Sequence, residues 1–145
     1  MLLGPNHTSL RHDEAITGFA FPAPGPEYRS AFAKIGSRTA VSVARLSAAL
    51  VVRFDAPSGT IADAHVALGA VGEVAFRVPD LEEALEGRPA DEETARVFAE
   101  GCVAAVQESI PGRYSLPYKQ HAAVGLAYDA WNMLALGAPC EPAWA

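Results

Sequence analysis

The chain has 145 residues, half of them hydrophobic, with 11 Lys and Arg against 17 Asp and Glu and a net charge of −6. That length suits one domain with a real core, and the acidic balance argues against nucleic acid or an anionic membrane as a partner, because either needs a basic face. Cys102 and Cys140 lack any CxxC or CxxxC spacing, so neither a zinc site nor a disulfide framework is indicated, and a reducing cytoplasm is the expected location.

In chain order, Met1–Glu14 reads as an irregular, polar entry segment, broken by Gly4, Pro5 and Asn6. Its paired leucines fall short of a secretory signal, and the longest apolar runs are too short to cross a membrane, so a soluble, unprocessed protein is expected. Ile16–Pro22 is predicted as a first strand, with Phe19 and Phe21 on one face, stopped by Pro22, Pro24 and Pro26.

The stretch Tyr28–Leu46 combines strand alternation, a cation and a glycine turn. Tyr28, Ser30, Phe32 and Lys34 share one face; Arg29, Ala31, Ala33 and Ile35 share the other. Gly36 and Ser37 break the strand, and Thr39–Arg45 is read as a turn that returns the chain to the sheet. Leu46–Phe54 alternates cleanly, and the turn cluster Asp55–Gly59 joins it to a second alternating run, Ile61–Val71. There Ala62, Ala64, Val66, Leu68 and Ala70 lie opposite Asp63 and His65. The pair predicts an antiparallel hairpin, and Val74–Val78 a further short strand.

From Pro79 onward helix signals replace alternation. Asp80 is read as the cap of a helix over Leu81–Glu86 that ends at Gly87. Asp91 opens a second helix, with Phe98, Cys102, Val106, Ala99, Val103 and Ile110 as its apolar stripe and Pro111 and Gly112 as its stop. A third runs from about Leu116 to Leu136, with Ala122, Leu126, Ala130, Met133 and Leu134 toward the sheet. Strands followed by helices predict an α+β fold: an antiparallel sheet of about four to five strands in the N-terminal half and three helices of the C-terminal half on one face. Residues 15–136 form the expected domain, and 137–145 a loose tail.

Motifs of chemistry are scarce. His7, His12, His65 and His121 have no metal-binding spacing, the acidic runs Glu82–Glu86 and Asp91–Glu93 suit helix starts, and Cys102 falls on an apolar stripe. No nucleophile motif or phosphate loop is present, so no catalytic or metal-binding residue is assigned.

Five segments in register carry a resemblance. They are Leu10, Arg11, Asp13, Glu14, Ile16 and Thr17; Tyr28–Leu46; Ala67–Gly72; Glu83–Gly87; and Arg113, Ser115, Tyr118 and Lys119. Together they are similar to the C-terminal domain of the FAD-binding (medium) subunit of the xanthine dehydrogenase and carbon monoxide dehydrogenase family of molybdenum hydroxylases. The resemblance implies a component of an oxidoreductase, not catalytic alone, with FAD as the cofactor. A glycine-rich flavin domain is its expected partner, together with the iron-sulfur and molybdenum subunits of a hydroxylase complex. It also implies two contributions to the flavin pocket, an apolar residue at Ile16 and a cation at Lys34. Around Arg113 the pattern departs from the family, with Ile110, Pro111 and Gly112 before it and Leu116 and Pro117 after, so no role is carried over to Arg113 or Tyr118. The alternative reading is a stand-alone interaction or small-molecule-binding module of the same fold without a redox role.

Overall fold

The computed structural model describes residues 2–4, 6–38 and 41–135. A small hairpin, β1 (Leu2–Gly4) with β2 (His7–Thr8), precedes the main sheet. The sheet has four antiparallel strands in the order β3 (Tyr28–Gly36), β4 (Ala44–Phe54), β5 (Ile61–Gly69) and β6 (Phe76–Arg77). Three helices follow: α1 (Pro79–Leu85), α2 (Glu92–Ser109) and α3 (Leu116–Ala135). The α+β reading therefore holds, with four strands in the main sheet.

The core lies between one sheet face and the helices. Ala31 and Ala33 of β3, Leu46, Ala48, Leu50 and Val52 of β4, and Ala64, Val66 and Leu68 of β5 are buried, as period-two alternation requires. α3 packs against β3 and β4, α1 against β5, and α2 against both helices. Phe98 of α2 meets Trp131 of α3 with ring centroids 5.9 Å apart. The β4–β5 turn closes through Asp55, whose carboxylate accepts from the Ser58 hydroxyl at 2.7 Å, while Gly59 takes φ 70°, a conformation that suits glycine.

Several local expectations change. Met1–Glu14 is not wholly irregular: the breaker Asn6, at φ 59°, lies in the turn of the β1–β2 hairpin. Ile16–Pro22 is not a strand. It pairs with no neighbour, and Phe19 and Phe21 are 77% and 82% exposed; alternation describes a strand only where another strand accepts its hydrogen bonds. The β5 strand ends at Gly69, so Ala70 is exposed at φ 59°. A register shift beside Phe54 leaves Ala62 only half-buried and makes Ile61 the first inward residue of β5.

Among the helices, α1 starts two residues earlier than predicted. Val78 is its N-cap, Pro79 occupies the first turn, and Asp80 does not cap by its side chain. Asp91 caps α2 as expected, accepting from the Thr94 amide at 2.8 Å. The buried face of α3 includes Leu126, Ala130 and Leu134 but also Ala123, Ala127 and Trp131, whereas Met133 is 47% exposed. Leu136 and the predicted tail 137–145 lie outside the described residues.

Candidate flavin-facing surface

Because the helices cover one sheet face, the other is left bare among the described residues. Antiparallel register places four cross-strand rows on it: Lys34–Ser47–Gly69, Phe32–Ala49–Ala67–Arg77, Ser30–Val51–His65 and Tyr28–Arg53–Asp63. Rows are about 6.7 Å apart, two residues of strand rise. The first two rows form a shallow floor of small residues between Lys34, the exposed Phe32 ring (59% exposed) and Arg77. Gly69 keeps this floor low, since a Cβ there would stand 2.6 Å from the Ser47 hydroxyl.

Lys34 occupies the position its strand period assigned, near the end of β3 on the outward face. Its ammonium donates to the Ser42 carbonyl at 3.4 Å and is otherwise open to solvent. The loop beyond it is braced by Arg38, which donates to the Val41 carbonyl at 2.8 and 2.6 Å. Ile16 sits elsewhere in the chain's architecture: it is 43% exposed in the irregular segment before β3 and shares no ladder with Lys34. The structure thus places one of the two expected residues on the sheet and the other outside it.

The opposite end of the same face carries a chain of polar contacts that sequence reasoning missed. The Tyr28 hydroxyl donates to Asp63 at 2.8 Å. His65 Nε2 lies 3.4 Å from the same carboxylate oxygen, and Arg77 Nη2 lies 2.7 Å from His65 Nδ1. Arginine only donates, so these contacts fit the tautomer with its proton on Nε2, toward Asp63. Arg77 then forks onto Glu82 of α1 at 2.9 and 2.6 Å, and Glu82 also accepts from the Val66 amide at 2.8 Å. Burial pushes the Glu82 carboxyl up. The Arg77 hydrogen bonds, the Val66 amide and the Arg77 charge outweigh it, holding the group below its ordinary value. Alternation alone puts Asp63 and His65 on the outer face; only the register shows that Tyr28 and Arg77 flank them.

Two resemblance-bearing segments meet behind the Lys34 row. Lys119, at the start of α3, donates to the Ala70 carbonyl just past β5 and fixes that strand end against the helix. Burial and the nearby Arg113 charge lower its pKa. Tyr118 is half exposed and Tyr114 fully so. Cys102 is buried, and burial pushes its thiol up to about 12, which leaves it without thiolate character. Among the described residues no group of three or more His, Cys, Asp or Glu side chains could hold a metal ion, and no helix is long and apolar enough to cross a membrane.

The fold recurs in solved proteins. The chain superimposes on a carbon monoxide dehydrogenase from Hydrogenophaga pseudoflava, in a form lacking the Mo-pyranopterin moiety of the molybdenum cofactor. The TM-score is 0.77 and the identity 25%, over 92% of this chain and 46% of that one. It also matches a reconstituted CO dehydrogenase from Oligotropha carboxidovorans, with TM-score 0.67 and 19% identity over 81% of this chain and 40% of that one. Quinoline 2-oxidoreductase from Pseudomonas putida 86 gives 0.62 and 23% over 78% and 39%. The chain thus spans less than half the length of the solved chains it matches, and the likenesses below 25% identity concern the fold alone. No curated protein matches it in sequence. The model of the CO dehydrogenase flavoprotein C-terminal domain matches residues 30–134, from Ser30 on β3 to Leu134 near the end of α3, and the chain belongs to that family.

Proposed function

We propose that this domain completes the flavin pocket of a molybdenum-hydroxylase FAD subunit and supports electron transfer from iron-sulfur clusters to FAD. The observation that carries the reading is the bare sheet face: a lysine at one corner, a floor of Ser47, Gly69, Ala49 and Ala67, and an exposed Phe32 beside it. Such a face fits a planar, electron-accepting ring system. The floor lets a flat group approach the backbone, and the Lys34 ammonium favours negative charge at the ring edge. Bound FAD would supply the redox chemistry. Lys34 would hold and orient that edge, and Ile16 would contribute an apolar contact that excludes water. The described residues include no glycine-rich dinucleotide loop, so a flavin domain must hold the rest of the cofactor.

That partner is also consistent with the apolar groups left bare before β3. Ile16, Phe19 and Phe21 are all exposed, and hydrophobic groups clustered on one short segment mark a contact surface. Mixing the full chain with the FAD-loaded flavin domain of a related subunit tests the reading by calorimetry. Association is expected, with a shift of the flavin absorption bands on complex formation. Lys34→Ala should lower the flavin potential in the complex by roughly tens of millivolts, because a cation near the reduced ring is lost. No association, or flavin bound tightly by this chain alone, would overturn the proposal.

A further inference from the structure

Charge in this molecule is segregated. Residues 79–110, which contain α1 and α2, hold nine of the seventeen carboxylates and only two cations, Arg88 and Arg96. Residues 28–69, which contain β3 to β5, hold five cations and two carboxylates. The acidic layer also contains a groove of about 380 Å³ between α1 and α2, on the helical side and thus across the sheet from Lys34. Its floor is apolar, formed by Leu81, Ala84, Val97 and Ala105. Its rim carries Asp80, Glu100 and Glu108, all exposed.

Two features make this a formed groove beneath a charged rim. Gly101 of α2 packs against the Leu81 side chain of α1, where an added Cβ would clash with Leu81 Cδ1, so this contact has no room for a larger residue. The cations of the layer are occupied within the chain: Arg96 lies between Glu93 and Glu100 at 2.5 and 2.7 Å, and Arg88 donates to the Ala84 carbonyl at 2.8 Å. Among the described residues Asp80 and Glu108 have no ion-pair partner.

We infer that the α1–α2 groove is a docking site for a basic segment of a partner protein, one that seats an apolar side chain on the Leu81–Ala84 floor between lysines or arginines that meet Asp80 and Glu108. Charge complementarity selects the partner: an acidic rim repels an acidic segment and attracts a basic one, while the apolar floor rewards a side chain that leaves water. The inference stands apart from the flavin reading, because it uses the opposite side of the sheet.

The probe is a fluorescein-labelled peptide of about twelve residues that alternates leucine and lysine, titrated by anisotropy into the full chain at about 20 mM salt. Saturable one-to-one binding is expected, weakened about ten-fold or more at roughly 0.5 M salt. Ala84→Leu, which fills the groove from an exposed position, and the double variant D80N/E108Q should each weaken binding about five-fold or more. The same peptide with glutamate in place of lysine should not bind. Circular dichroism checks that both variants are folded, and the double variant, confined to the surface, carries the test if Ala84→Leu is not. Equal binding to the parent and the folded variants would reduce the effect to diffuse attraction and overturn the inference, as would the absence of saturable binding. Self-association on gel filtration that D80N/E108Q abolishes would assign the groove to a second copy and overturn it equally.

Discussion

Lys34 and Glu82 show two fates of a charge on the same domain. Lys34 makes one long contact to a carbonyl at the surface, so Lys34→Ala should change the unfolding free energy by no more than about 0.5 kcal/mol in urea titrations of the full chain. Its effect belongs to the complex. Glu82 is buried, and it ties α1 to β5 and to Arg77 at once. Glu82→Gln should cost about 2 kcal/mol, because the Arg77 fork and the Val66 amide lose a charged acceptor. The pH dependence follows from the direction of its shift. The folded carboxyl lies below its ordinary 4.5, so its contribution is complete above that value and is lost as pH falls through the folded pKa. The stability gap between parent and Glu82→Gln, measured by urea titration at a series of pH values, should therefore be constant from neutral pH to about pH 5 and close below about pH 4.5. Cys102 offers a simpler check: its buried thiol should react with a disulfide reagent at pH 8 only after unfolding.

At the scale of elements, the contact between α1 and α2 depends on Gly101. Gly101→Ala would drive a methyl group into Leu81 at 2.4 Å, and thermal denaturation should show a loss of about 1–3 kcal/mol despite the better helix propensity of alanine. The Asp91 cap and the α2 stripe were legible in sequence because both signals are local: a carboxylate three residues before an amide, and apolar groups every third or fourth residue. The face of α3 was less legible. Its middle stretch, Ala122–Tyr128, is apolar throughout, so Ala123, Ala127 and Trp131 could be placed inward only by the position of the sheet. Ile16–Pro22 misled for a related reason, since its composition suits a strand while the described chain offers it no ladder partner.

At the scale of the whole molecule, a helix layer on one sheet face and none on the other produces both an open surface and a charge asymmetry. The positions of Lys34 and Phe32 on the outward face of β3 followed from alternation alone, as did the inward set Leu46, Ala48, Leu50 and Val52. Alternation has a period that any strand must obey, so the sequence by itself determined the long strands β3, β4 and β5 and their two faces, the capped second helix and the α+β class. Which face the helices cover, which residues stand beside Lys34 and what completes the Tyr28–Asp63–His65–Arg77–Glu82 chain were decided by the tertiary structure. Those neighbours come from strands and helices up to tens of residues apart, and their juxtaposition depends on register, bulges and packing, which no local pattern encodes.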